Sequence, residues 1–416
     1  MTSDSNNPLT LRNARAVLPD RVLSNSTIEI IDGRITRITE SRDDAPPDRA
    51  STDLSGLTVF PGFIDIHIHG AVGVDVNSAD ANGLLRVAEF LAGKGVTAWV
   101  PTLVPGPQQQ YDRSIAAISE AINQQQLLEY RSQADFENNE KSPTEVGTLN
   151  NCSARILGVH YEGPFVSSEQ CGALHREHFR TFKSVADLDL LPTINREGAV
   201  HLITVAPEID GGIELIRALR QRDWVISIGH TRAGLDVLDQ AKEAGAQHMT
   251  HFMNAMSPMH HRAPGPIGWG LLNDDVSLDV IADGIHLDPT MLKVLLRTVT
   301  PKRMALISDA IAAAGLGDGD YEIWGENITV ANGRTRNAHG SIAGSVITML
   351  DAVKTIFSLG ASECDVARMA SMNPARLLGI DHECGSIEKG KRADLVALND
   401  RRDIELIITN GAVARA

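Results

Sequence analysis

The chain has 416 residues, 43% of them hydrophobic and 22% charged, a composition that supports a large buried core and excludes a disordered or fibrous protein. Its 38 Lys+Arg against 53 Asp+Glu give a formal charge of −15, which repels a phosphate backbone and argues against nucleic acid as a partner. No apolar run approaches the roughly 20 residues that span a bilayer, and MTSDSNNPLTLRNARAVLP lacks a basic stretch followed by an apolar one, so no membrane contact and a cytoplasmic location are expected. Cys152, Cys171, Cys364 and Cys384 lie far apart without a CxxC pair, which implies neither a disulfide framework nor a thiolate metal site.

In chain order, TIEI and RITRI flank Asp32-Gly33, a hairpin signal, and DDAPPDRA at 43–50 reads as a loop. From Val59 onward strand-like and helix-like segments alternate. VFPGFIDIHIHG is followed by ADANGLLRVAEFLAGKG, and VTAWVPTLV by a polar helix expected over about Tyr111–Glu129. The stretch from Gln124 to Ser153 has little apolar periodicity and reads as a helix end running into a surface loop. ILGVHYEGPF, HLITVAPE with GIELIRALRQR, VISIGH with GLDVLDQAKEAG, HMTHFMNAM, LDVIADGIH with PTMLKVLLRTV, and MALISDA complete eight strand candidates. A last helix is marked by Val346, Met349, Leu350, Val353 and Phe357. Near the end, Asn410-Gly411 divides two further β-prone segments. Eight βα units fit a (β/α)8 TIM-type barrel better than an open doubly wound sheet, although counting alone leaves both. The expected organisation is an α/β barrel over 61–384, with 1–60 and 385–416 pairing into a small β-sandwich.

Histidines and carboxylates punctuate these apolar runs. His67 and His69 in IDIHIHG are two apart on a strand, so both face the barrel interior together with Asp65. Glu162 ends the third strand, His230 the fifth, His286 the seventh and Asp309 the eighth, while His251 lies on the sixth. All fall at the C-terminal ends of strands, where barrel enzymes keep their ligands. A lone HxH is commonly a pair of satisfied core histidines. Five further ionisable positions on one rim call for a divalent cation such as zinc, iron(II) or manganese.

PGFIDIHIHG, GVHYEGPF, GHT at 229–231, THFMNAMSPMHHRAPG, IADGIH and LISDA together closely resemble the amidohydrolase superfamily, and within it the branch that deacetylates N-acetylglucosamine 6-phosphate. The resemblance runs from Leu11 to the final ITNGAVA. It implies one or two divalent ions per subunit, with Glu162, His230 and His251 as principal ligands and His67 and His69 as ligands of an additional site. It further implies that the ion activates water and polarises the acetamide carbonyl. Asp309 would be the general base that later protonates the leaving amine. His286 would hold the developing oxyanion or, alternatively, a sugar hydroxyl.

For a sugar phosphate, the resemblance implies phosphate contact by Arg262, whose guanidinium offers forked donors. Asn254 and Ala255 would contribute further contacts, and Asp283 to His286 and Ile342, Ala343 and Gly344 would enclose the sugar. In CGALHREHFR, after Ala173, Leu174 stands where the family often carries histidine, and His175 follows one position later. Met253 replaces a common Phe or Tyr. These departures bear on gluco versus galacto discrimination and leave the metal and base positions intact. His160 reads as a supporting or core residue and Cys171 as inert. Deacetylation of N-acetylgalactosamine 6-phosphate, or of another N-acyl substrate, is the enzymatic alternative. A silent binding homologue is disfavoured because no ligand or base position is lost. A homodimer is expected from the resemblance.

Overall fold

Eight runs in which nearly every residue is buried become the parallel strands β1 (Phe63–Ile68), β2 (Val96–Leu103), β3 (Gly158–Glu162), β4 (Val200–Val205), β5 (Val225–Ile228), β6 (His248–Met249), β7 (Ser277–Ile281) and β8 (Met304–Ile307). The computed structural model describes residues 9–40, 51–137 and 152–415. Each strand pairs in parallel with the next. Asp309 N donates to His67 O (2.9 Å) and His69 N to Ala310 O (2.8 Å), which joins the end of β8 to β1 and closes the barrel.

Apolar stripes place α1 (Ala81–Ala92), α2 (Gln108–Glu137), α3 (Gly212–Arg220), α4 (Leu235–Ala244), α5 (Gly265–Leu272), α6 (Pro289–Thr298) and α7 (Met349–Ser358) around these strands. Leu84, Val87, Ala88 and Leu91 of α1 recur at helical spacing and are buried. Asp80 caps α1 by accepting from Gly83 N, and Thr348 with Asp351 forms a capping box at α7. That cap starts α7 three residues after Val346, later than the sequence pattern suggests. α2 outruns the expected Tyr111–Glu129 at both ends. The expected loops at 43–50 and 138–151 lie outside the described residues.

The two ends of the chain share one eight-stranded sheet made of Leu9–Val17, Val22–Ile31, Arg34–Glu40, Ser51–Asp53, Thr58–Pro61, Leu395–Leu398, Ile404–Thr409 and Ala412–Arg415. Both hairpin signals hold. Asp32 and Gly33 have φ of 51° and 70°, and Asn410 and Gly411 have 49° and 79°, the left-handed pairs of a two-residue turn. The sheet curls until these turns meet: Ala393 N donates to Gly33 O (2.7 Å) and Ile35 N to Lys391 O (2.9 Å). A Cβ at Gly33 would stand 2.4 Å from Asn410 Oδ1. The layers of the sandwich are therefore continuous, and they enclose a core of Leu11, Ile28, Ile35, Leu395 and Ile408 that is separate from the barrel's.

Three features have no counterpart in the sequence reading. They are α5, a helical stretch from 363 to 377 with a π-helical turn at Arg368–Met372, and a small antiparallel sheet of β9 (Gly319–Ile323), β10 (Glu326–Ala331) and β11 (Arg334–Arg336).

Candidate metal centre

The fold turns each strand's polar end residue toward one point. His67 lies in β1 and His69 directly after it, Glu162 is the last residue of β3, and His230, His251 and Asp309 stand two residues beyond β5, β6 and β8. His251 was expected on its strand, but β6 ends at Met249 and the chain turns there. His230, His251 and Asp309 have φ of 47°, 32° and 50°. Left-handed backbone costs a non-glycine residue about 1–2 kcal/mol, and it persists where surrounding contacts fix it, commonly at functional sites. None of the six side chains belongs to a residue more than 6% exposed.

Glu162 is the hub. Its Oε1 lies 2.9 Å from both His230 Nε2 and His251 Nε2, which are 3.1 Å apart. Its Oε2 lies 3.3 Å from His69 Nε2, which is 3.2 Å from both His67 Nε2 and Asp309 Oδ1. The donors therefore form two triads that share Glu162: His67, His69, Glu162 and Glu162, His230, His251.

Hydrogen bonding behind the rings decides what these contacts are. His230 Nδ1 donates to Gln170 O at 2.8 Å and His69 Nδ1 to Thr102 O at 3.3 Å, because a carbonyl can only accept. In the neutral rings both Nε2 atoms are then lone pairs, and both face carboxylate oxygens. Two acceptors at such distances require a positive charge between them. Ligands about 2.0–2.1 Å from a tetrahedral zinc-like ion stand about 3.3 Å apart, close to the separations in both triads. The charge demand agrees. Burial disfavours an imidazolium at His69 and His251, yet hydrogen bonds to Asp309 and Glu162 at His69, and to Glu162 at His251, lift them to about 10 and about 9. Two added protons carry the charge of one divalent cation, and a His/carboxylate set of this kind fits a metal ion.

Residues behind the rim hold it in place. Asp279 accepts from His251 N and, at 2.9 Å, from His248 Nε2. Asp65 accepts from Ser308 Oγ at 2.5 Å, tying β1 to β8, and burial pushes it up to about 6. His160 is outside the donor cluster, as the sequence suggests: its Nδ1 donates to Ile66 O and its Nε2 meets Thr204 Oγ1. Gln170, Thr102 and Asp279 were not foreseen. The first two act through main-chain oxygens, and Asp279 lies within an apolar run, LDVIA, that reads as plain core.

Of the other expected residues, those on the loop after β3, Asn254 with Ala255, and the segment 342–344 gather nearby, whereas the contacts of Asp283 and His286 are with each other. Gly172 packs against His230 and Ala255: a Cβ there would be 3.4 Å from His230 Cε1 and 3.8 Å from Ala255 Cβ. That places the loop bearing Ala173 and Leu174 beside the cluster. Asn254 Nδ2 donates to His251 O at 3.2 Å. A Cβ on Gly344 would be 3.8 Å from Asp309 Oδ1, and Ala343 is buried with Ile311, so the segment Ile342, Ala343, Gly344 lines Asp309. Asp283 accepts from His286 Nδ1 at 2.7 Å and from the Ile285 and His286 amides at 2.8 Å each. Burial raises the Asp283 carboxyl, but these hydrogen bonds outweigh it and hold the group below the usual value. Arg262 is exposed on the loop between β6 and α5, donating to His261 Nε2 at 2.7 Å, and no contact ties it to the cluster.

The amidohydrolase family model matches residues 58–414, the whole barrel and the C-terminal strands. The chain belongs to the amidohydrolase family. It is 34% identical over 411 residues to an N-acetylglucosamine-6-phosphate deacetylase of Bacillus subtilis (strain 168), covering 98% of this chain and 97% of the relative. It is 31% identical over 405 residues to an N-acetylgalactosamine-6-phosphate deacetylase of Escherichia coli O157:H7, covering 97% and 98%. Among solved structures, the N-acetylglucosamine-6-phosphate deacetylase of Pasteurella multocida superposes with a TM-score of 0.85 at 27% identity, over 99% of this chain and all of that one. As an amidohydrolase this chain is a hydrolase, and its two histidine–glutamate triads provide groups able to hold metal. No helix of the described residues is long and apolar enough to cross a membrane.

Proposed function

We propose that this chain hydrolyses the acetamide of N-acetyl-D-glucosamine 6-phosphate, giving D-glucosamine 6-phosphate and acetate. One observation carries the reading: Glu162, His230 and His251 converge beside Asp309 in a chain matched end to end by a relative of that printed activity. Glu162, His230 and His251, with His67 and His69, would hold one or two divalent ions, whether zinc, iron(II) or manganese. Such an ion supplies Lewis-acid activation of water and of the amide carbonyl.

Asp309 is suited to the proton work. Its Oδ1 is already at the rim, and the Ile342, Ala343, Gly344 segment screens it from bulk solvent. It takes a proton from water as the C–O bond forms, then delivers it to the amine nitrogen as the C–N bond breaks. Asp283 fixes His286 with Nδ1 as donor, so Nε2 is directed to a substrate hydroxyl or, when protonated, to the oxyanion. Asn254 and Ala255 border the sugar from the loop after β6. Arg262 offers its guanidinium to the 6-phosphate from the same loop. Ala173 and Leu174 close the site from the loop after β3.

A second substrate is favoured by specific observations. Leu174 stands where the resemblance leads one to expect histidine, and the Escherichia coli relative is named for the galacto epimer. Acetate release from the gluco phosphate, the galacto phosphate and unphosphorylated N-acetylglucosamine separates these cases. The gluco phosphate is expected to be cleaved fastest, and release from the galacto phosphate alone would move the assignment to that epimer. We also propose that the chain works in the cytoplasm as a homodimer. Its four cysteines are free, which suits a reducing compartment, and Met259 before α5 and Leu272 at its end, 54% and 86% exposed, are material for an interface.

A further inference from the structure

The sheet of β9, β10 and β11 follows β8 and carries no residue of the expected site. Its first hairpin nevertheless reaches the metal centre. β9 and β10 pair from Gly319 opposite Val330 to Ile323 opposite Glu326, leaving Trp324-Gly325 as a two-residue turn with φ of 55° and 75°. Such turns are normally Asn-Gly or Asp-Gly, because both residues must be left-handed. A tryptophan is among the residues that bear this conformation worst.

What the indole touches accounts for its presence. Its ring stands edge-on to His69, with centroids 5.2 Å apart and planes at 85°. It packs against the apolar group of Val104, Val166 and Leu174, so the loop after β3 braces it. Its Nε1–H is buried without a hydrogen bond of normal geometry and faces the Asp75 carboxylate, which it helps to hold down against the raising effect of burial. The opposite constraint on His69 is the single long hydrogen bond from Nδ1 to Thr102 O, 3.3 Å. His230, by contrast, has a 2.8 Å bond to Gln170 O.

We propose that Trp324 is a positioning residue for His69, and that it sets the strength of the His67, His69, Glu162 triad separately from the Glu162, His230, His251 triad. This rests on the metal-centre reading. An imidazole held by one long hydrogen bond is free to rotate out of line with its metal. An edge-on indole braced by Leu174 removes that freedom, as hydrogen-bonded partners do for other metal-ligating histidines. A strained turn residue is retained because it delivers this contact.

The test counts ions. Stripped wild-type protein, Trp324→Phe and Trp324→Ala are titrated with zinc against a chromogenic chelator, and cobalt quenching of tryptophan fluorescence is followed in parallel, with circular dichroism confirming folding. Wild type is expected to take up two ions per chain. Trp324→Ala is expected to keep the tighter one and hold the weaker about 10- to 100-fold less well, with Trp324→Phe restoring most of that affinity. Cobalt at the weaker site should quench a component of the wild-type emission that Trp324→Phe lacks. Equal affinities in all three proteins, or a parallel loss of both ions in Trp324→Ala, would overturn the proposal. A wild-type chain that takes up one ion would overturn it while leaving the metal-centre reading in place, whereas uptake of none would remove both.

Discussion

The interior of the curled terminal sheet and the barrel rim are both closed to solvent, and they are built from opposite materials. In the sheet, Leu11, Ile28, Ile35 and Ile408 fill the interior, and the tight turns at Gly33 and Gly411 use residues suited to left-handed backbone. At the rim, four histidines and two carboxylates are buried together, and three of them sit on left-handed backbone where glycine or asparagine would be easier. A packed apolar core tolerates substitutions that keep its volume. A buried set of opposed acceptors tolerates none that changes its charge. A substitution in the terminal core should therefore disturb stability, and one at the rim chemistry, each without the other.

The strongest way to break that contrast is Asp309→Asn. Turnover is expected to fall about 10²- to 10⁴-fold through loss of the proposed proton carrier, with metal content and urea midpoint unchanged; metal analysis and initial rates on the same sample decide it. Loss of metal in this variant would make Asp309 a ligand rather than the base. Ile28→Ala is the mirror case. It removes a fully buried side chain and should cost about 2–5 kcal/mol of stability, read as a lower urea midpoint, while kcat per folded molecule stays the same. Arg262→Ala should raise KM for the phosphorylated sugar about 10-fold or more, about 1.4 kcal/mol, with kcat and stability spared; equal effects on phosphorylated and unphosphorylated sugar would remove the phosphate assignment. Gly33→Ala is the mildest. A left-handed alanine costs about 1–2 kcal/mol, and its Cβ must displace Asn410, so the midpoint should fall modestly with no change in kinetics.

The same contrast explains what could be read from the sequence. The barrel strands were legible because a strand buried on both faces is a continuous run of Val, Ile and Leu, and the rim residues were legible because a histidine or carboxylate interrupts such a run. Asp32-Gly33 and Asn410-Gly411 announced their turns by chemistry. The sheet of β9 to β11 did not announce itself. Its strands GDYEI and ENITVA are largely exposed with few apolar positions, and Trp-Gly is not a recognised turn pair. Trp324 was missed for that reason, since its role depends on a fold contact with His69 that is 255 positions away by numbering. Gln170 and Thr102 were missed because main-chain oxygens leave no mark in a sequence. The length of β6 was overestimated because HMTHFMNAM continues to look strand-like after the backbone has turned at His251.

The requirement of deacetylation for a metal ion held at Glu162 stands above the other predictions. It is tested most directly by acetate release from N-acetylglucosamine 6-phosphate, using wild-type protein and Glu162→Gln, each stripped with chelator and then reloaded with zinc, iron(II) or manganese. Stripping is expected to abolish release, reloading to restore it in wild type, and no ion to restore it in Glu162→Gln. Undiminished release from the stripped wild type, or full activity in reloaded Glu162→Gln, would contradict it.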